Sequence, residues 1–310
     1  MVTVRLFSAT KFSDFTLNDD NLDLELNYKS NQTQSIGVGA SFKGLSLNLG
    51  YGFSFNNQDD SIFGQTKRID FLTQIYTRKF AINIYSSVYK GFYLDNSKTV
   101  ISNWPKEKYY TRPDLTGSTF GASASYYVNH ERFSNRATFV QTEWQKKSAG
   151  SFIIGFSAIF NQMKADSSFV PTNIIDEQFF GGYDYIKSNY LTFGSYFGYA
   201  YNLVVLEKLF FTAGLNIGIL LGNNTIFDEL NASKSVSKLN FTVLPNLGLG
   251  YNSKRFYAGF SYSSMTSVTP TPIEKTSQAV TNGKYQFVYA YRFKVREDLR
   301  ILPKSWPIDF

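Results

Sequence analysis

The 310-residue sequence predicts an all-β protein, a closed antiparallel transmembrane β-barrel of about 12 strands, with 14 as the alternative. Three observations carry this expectation. Large apolar residues alternate with small polar ones at period two in segment after segment. The segments run about 9–13 residues, the length of a tilted strand crossing a bilayer. Their connections alternate between tight and long, as short periplasmic turns and long extracellular loops would.

The alternation is plainest in LSLNLGYGFSF, where Leu45, Leu47, Leu49, Tyr51, Phe53 and Phe55 oppose Ser46, Asn48, Gly50, Gly52 and Ser54. Ile36, Val38, Ala40 and Phe42 oppose Gly37, Gly39 and Ser41, and Phe80, Ile82, Ile84 and Val88 oppose Asn83, Tyr85, Ser87 and Tyr89. Later come Phe120 to Val128, Leu191 to Tyr201, Phe211 to Ile219, Leu239 to Tyr251 and Phe256 to Tyr262, mostly against Gly, Ser, Thr or Asn, and Tyr285 to Val295 against Gln286, Arg292, Lys294 and Arg296. A soluble sandwich alternates too, but its strands are usually about 5–6 residues long, and its wet face favours Lys, Glu and Thr. Small polar residues suit the crowded interior of a closed barrel, so the greasy face points to lipid.

Tight basic turns fall at Lys43-Gly44, Arg78-Lys79, Asn129 to Arg132, Glu207-Lys208 and Lys254-Arg255. Long polar connections fall at 56–66, 93–115, 166–187, 222–236 and 268–283. With the tight turns periplasmic, 21–30 runs outward, 35–43 inward, 45–55 outward, 67–77 inward, 79–92 outward and 116–128 inward. Counting back from the C-terminus, 284–296, 237–251 and 188–203 run inward, and 254–267 and 207–221 outward. Parity then requires 133–160 to be one overlong, bulged outward strand, giving 12, or a further strand hidden in 166–187, giving 14. A slip of the lipid face from odd positions (Phe133, Ala137, Phe139) to even ones (Val140, Trp144) favours the bulge. Parity also places 1–20 as a periplasmic or lumen-tucked segment, 21–296 as the barrel and 297–310 as a periplasmic tail.

Composition excludes other classes. Mean hydropathy is −0.22 and no run approaches a spanning helix. The net charge of +7 is scattered rather than gathered in a patch, which argues against a nucleic-acid partner. There are no cysteines. No charged and apolar leader precedes the strand-like VTVRLF, so export implies a signal peptide outside this sequence.

The stretches VRLFSATKF, YKGFYL (89–94) and FSNRATFVQTEWQKKSAGS (133–151) resemble an uncharacterised family of Bacteroidota outer-membrane barrels, known only as a domain of unknown function. The resemblance covers nearly the whole chain. It implies the cell outer membrane and a cleaved signal peptide, and brings no activity, ligand or catalytic residue. The aromatic FVYAYRF resembles the signal read by barrel-assembly machinery, although Glu297 to Phe310 follow it.

Candidate chemistry is sparse. The single histidine, His130, lies near Ser134 in the turn YYVNHERFS; as a hydrolytic pair it would sit at the periplasmic rim, the wrong end for outer-leaflet lipid. Asp59-Asp60 could touch Ca²⁺, but a solvated loop is the better reading, and no metal or cofactor is expected. Gly37-Gly39 and Gly248-Gly250 are strand glycines, not phosphate loops, because no helix follows. The sharper expectation is a lumen charge network of Asp23, Glu25, Lys29, Arg68, Asp70, Arg136, Glu143, Arg292, Lys294 and Arg296. Closure of the first strand on the last would set Asp23 and Glu25 against Arg292, Lys294 and Arg296. The network either fills a solvated interior or selects a small polar solute.

Three functions follow. The first is a non-enzymatic scaffold with a largely filled lumen, meeting other envelope proteins through the 93–115 and 166–187 loops and bathed in outer-membrane lipid and lipopolysaccharide. The second is a narrow channel for small polar solutes, and the third, a lipid-modifying enzyme, lacks catalytic groups near the outer rim.

Overall fold

A computed structural model describes residues 1–42, 45–52, 59–105 and 107–294. Long strands of alternating residues cannot leave their backbone groups unpaired, and here they pair into one antiparallel sheet that closes on itself. Thirteen strands are present among the described residues. They are β1 (Val2–Asp19), β2 (Leu24–Lys29), β3 (Thr33–Phe42), β4 (Leu45–Gly52), β5 (Lys67–Tyr76), β6 (Phe80–Leu94) and β7 (Tyr110–Tyr127), followed by β8 (Ala149–Lys164), β9 (Lys187–Val205), β10 (Leu209–Phe227), β11 (Ser233–Asn252), β12 (Phe256–Pro270) and β13 (Thr276–Phe293). Successive strands pair from β6 round to β13, β13 pairs β1, and β1 returns through β2 to β6, a ring of ten. The strands β3, β4 and β5 lie outside that ring, on a second path from β1 to β6.

The arrangement differs from the expected twelve or fourteen, and the differences have physical causes. Residues 1–20 are not a periplasmic or tucked segment: β1 pairs β13 over its whole length, from Val2↔Phe293 to Asp19↔Thr276. Its alternation was obscured because Phe7, Phe15 and Leu17 point inward, putting apolar residues on both faces. The expected first strand, 21–30, runs the other way: β2 and β3 follow one another down the same side of β1, separated only by 30–32. The segment 133–148 is no strand. It leaves the wall and forms a short helix (Asn135–Phe139). The slipped phase there marked the departure of the chain, not a bulge. Two long loops also shrink, because β10, β11, β12 and β13 continue past the apolar belt as tall hairpins joined at 228–232 and 271–275. The turn Lys43-Gly44 lies outside the described residues.

Outward positions are apolar over a band and then turn polar. On β10, Leu209, Phe211, Leu215, Ile217, Ile219 and Leu221 are exposed, and Asn223 and Thr225 follow on the same face. On β11 the same boundary falls between Ser237 and Leu239. No helix among the described residues is long and apolar enough to cross a membrane.

Candidate functional site: a lumen closed at both ends

The floor, at the end of the barrel that carries the tight turns, is built by residues 129–148. Ser134 caps the helix Asn135–Phe139 by accepting from the Ala137 amide at 3.1 Å, and its hydroxyl donates to the Glu143 carboxylate. The segment is then held by inward side chains from most of the wall. Arg292 of β13 donates to the carbonyls of Gln141 (2.7 Å), Glu143 (2.9 Å) and Ser253, and to Asn252 Oδ1 (2.8 Å). Asn252 donates to the Glu143 carbonyl (3.0 Å), Tyr257 to the Thr138 carbonyl (2.9 Å) and Asn202 to Gln145 Oε1 (2.8 Å). Thr138 pairs with Thr212 at 2.7 Å, and Arg5 of β1 reaches Gln141 Oε1 at 3.2 Å. A Cβ on Gly248 would strike the Thr138 methyl, so glycine there makes room for the floor. The stretch QTEWQKKS (141–148) is therefore part of the floor, and the AGS that follows opens β8.

The roof, at the opposite end, is apolar. The connections 95–105 and 166–186 fold inward and bury Val100, Ile101, Phe169, Ile174, Phe179 and Phe180 against Phe15, Leu17, Tyr28, Leu94, Leu115 and Tyr190 of the wall. The two loops are stitched to each other by Ser102 N–H to the Asn173 carbonyl and Ile175 N–H to the Val100 carbonyl, both 2.9 Å. Phe180 sits in the left-handed region with φ 57, and its amide donates to the buried Asp19 carboxylate at 2.8 Å. Arg112 grips Asp114 through two N–H groups (2.9 and 2.7 Å) and donates to the carbonyls of Ser167 (3.0 Å) and Ser168 (2.6 Å). Beyond the apolar belt, this hydrogen bonding from Arg112 holds the Asp114 pKa down at about 2.

Between floor and roof lies a chamber of about 320 Å³, lined by Asn83, Ser123, Asn246, Asn282 and Gln286 and by the charges of Lys11, Asp70 and Lys284. Asp70 is paired with both Lys11 and Arg68, the latter at 3.1 Å.

The expected charge network thus separates into pieces. Arg68 and Asp70 meet in the chamber, while Arg136 and Glu143 pair at 3.5 Å in the floor, beside Arg292. Lys29 pairs with Asp95 at 2.6 Å near the roof. Asp23 and Glu25 are exposed at the roof end and Lys294 is exposed at the floor end, so the proposed seam between them does not form. Its premise failed with the assignment of the first strand: β1, not 21–30, adjoins β13. Arg296 lies outside the described residues. Sequence reasoning missed Lys11 because 1–20 was set apart from the barrel, and missed Lys284 although it shares the inward parity of Gln286 and Arg292.

The other candidates have structural roles. The Ser134 hydroxyl is engaged with Glu143 rather than with His130, whose Nδ1 has no hydrogen-bond partner among the described residues. Asp59 caps the short helix α1 (Asp60–Phe63), accepting from the Ser61 amide at 2.8 Å, and Asp60 accepts from Asn31 at 3.0 Å. Among the described residues no group of three His, Cys, Asp or Glu is placed to hold a metal.

The model of one family, Domain of unknown function (DUF4421), matches residues 1–293. Comparison with curated proteins found no match. Among solved structures, the outer membrane protease OmpT from Escherichia coli is similar at 8% identity with a TM-score of 0.44, covering 94% of this chain and 96% of that one. The translocator domain of the autotransporter NalP from Neisseria meningitidis is similar at 10% identity and TM-score 0.30, covering 94% and 88%. The toluene transporter TodX from P. putida is similar at 8% and 0.24, covering 95% and 91%. The chain belongs to the DUF4421 family.

Proposed function

We propose that this DUF4421 protein is an outer-membrane β-barrel, closed along its axis, that serves as a non-enzymatic membrane-embedded scaffold. The observation that carries the reading is the double closure, a hydrogen-bonded floor and an apolar roof on either side of a small chamber. The apolar outer belt supports the membrane assignment, since exposing Phe193, Phe197, Ile217 and Phe241 to water would be unfavourable, and a lipid environment removes that cost. Lipid and lipopolysaccharide are the surroundings this belt fits.

At the level of the belt the ring follows the second path, through β3, β4 and β5, making about twelve crossings. The direct link of β2 to β6 is confined to Tyr28↔Leu94 and Lys29↔Tyr93, up at the roof. The tight-turn end faces the periplasm. Other envelope proteins dock on the opposite end, where Ile175, Glu177 and Gln178 of the 166–187 loop remain exposed above the buried phenylalanines.

A second reading, a narrow channel for small polar solutes, draws on the polar side chains of the chamber. Single-channel recording of folded protein in a planar bilayer at two salt concentrations separates the two. The scaffold gives no steady open state. A stable, ion-selective conductance would overturn it in favour of the channel.

A further inference from the structure

The chamber is shut at both ends, yet its wall is incompletely sealed on one side. β3 pairs β4 over eight residue pairs, from Ser35↔Gly52 to Phe42↔Leu45, and β5 pairs β6 over ten. Between β4 and β5, however, the described residues share a single pair, Leu45↔Ile75. Extension of that register would oppose Leu47 to Thr73 and Leu49 to Phe71, and neither pair forms among the described residues. Leu49 and Ile69 are accordingly among the most exposed apolar side chains of the wall, at 77% and 78%. Unpaired strand edges within a bilayer are costly, so an open seam at this level needs a reason. The lining of the chamber reaches it at Phe71 and Leu72 on β5.

The chamber holds a second unfavourable feature. Lys11 of β1 and Lys284 of β13 are direct cross-strand partners with both side chains lining the chamber. Like charges directly opposite one another destabilise a strand pair. Asp70 is already shared by Lys11 and Arg68, while Lys284 has neither a hydrogen bond nor an ion pair among the described residues. One half-buried cation of the chamber therefore lacks an ion-pair partner among the described residues.

We propose that the chamber binds one long-chain carboxylate, which enters sideways from the bilayer between β4 and β5 and seats its headgroup on Lys284 beside Lys11. A single negative charge matches the single unpaired cation. An acyl chain matches the route, because the seam leads from the chamber into the apolar belt rather than into water. Phe12, Leu72, Phe139, Leu244 and Met265 give the chain an apolar surface beside the amides and hydroxyls of the site. Such a site is compatible with an axially closed barrel and is independent of whether the loop end docks a partner.

The test uses the full chain folded in detergent micelles, incubated with palmitate or with hexadecanol and examined by native mass spectrometry. The wild-type protein should retain one palmitate and at least about tenfold less hexadecanol. Lys284→Gln should retain at least about tenfold less palmitate while its thermal midpoint rises, because the repulsion from Lys11 is gone. That rise also shows that the variant is folded. Retention of palmitate by Lys284→Gln at the wild-type level, or equal retention of hexadecanol, would overturn the headgroup site. A double variant, Leu49→Cys with Phe71→Cys, tests the route. Once it is loaded and bridged by a disulfide-containing bis-maleimide linker, exchange against deuterated palmitate should slow at least about tenfold and recover on reduction. Exchange unaffected by the cross-link would overturn lateral entry.

Discussion

Arg292 shows how one side chain sets the state of the lumen. A guanidinium offers five donors in a fixed fork, and here they meet three carbonyls and an amide oxygen drawn from the floor and the β11–β12 turn. Replacing it by alanine leaves those buried acceptors without a donor. Arg292→Ala should lower unfolding stability in urea by about 3 kcal/mol. Charge reversal at Glu25 should not rescue Arg292→Glu, since Glu25 lies at the other end of the barrel. A urea titration of the single and double variants checks both statements. Asp114 gives a pH-dependent counterpart. Its folded pKa, about 2, lies below the ordinary carboxylate value, so the stability it lends is present above about pH 4 and lost as pH falls toward 2. Pepsin cleavage near Ser167 and Ser168 should therefore accelerate between pH 4 and 2, and Asp114→Asn should be cleaved rapidly at both.

At the scale of elements, the decisive one is the floor, and it was the one least legible in sequence. The strands announced themselves because their outward positions are apolar and their inward ones small and polar, so β9, β10 and β11 alternate cleanly. The segment 133–148 also carries apolar residues, but Phe133, Ala137 and Val140 are buried inside the lumen. Periodicity records which side of a residue is covered, not what covers it, and a plug buried in a barrel resembles a defective strand. The same ambiguity hid β1, where Phe7 packs over Gly37 and Gly50 of the neighbouring hairpin and Phe15 joins the roof. Replacing residues 134–147 by a short Gly/Ser linker should convert a silent barrel into one with a steady conductance. It should also lower the thermal midpoint, since Asn202, Asn252, Tyr257 and Arg292 each lose hydrogen bonds to the floor. An unchanged current trace from a folded variant would show that the roof alone closes the lumen.

The whole molecule places two solvents back to back across a sheet one residue thick. Asn216 and Ile217 are adjacent in sequence, yet Asn216 is buried toward the lumen and Ile217 is half-exposed on the belt. Ile217→Arg should cost about 2–4 kcal/mol of folding stability in lipid vesicles, as expected for a cation near the midplane. Asn216→Ser, on the lumen face, should cost less than half as much. Equal costs would mean that the belt does not face hydrocarbon. The chamber, the seam and the closed ends belong to this scale too, because each is made by strands far apart in the chain: Lys11 meets Asp70, and Arg5 meets Gln141.

The sequence by itself determined the fold class, the outward face of nearly every strand from β3 onward, and the positions of the tight turns between β5 and β6, β9 and β10, and β11 and β12. These are local consequences of period-two burial and turn chemistry, and a short window contains them. Tertiary structure alone decided that β1 closes the barrel, that 133–148 fills its floor, that two loops roof it, and that the expected charge network separates into pieces at different depths. The physical reason is that the lumen is a shared interior. A side chain facing it is polar or apolar according to partners contributed by the opposite wall, and no stretch of sequence carries its own partners.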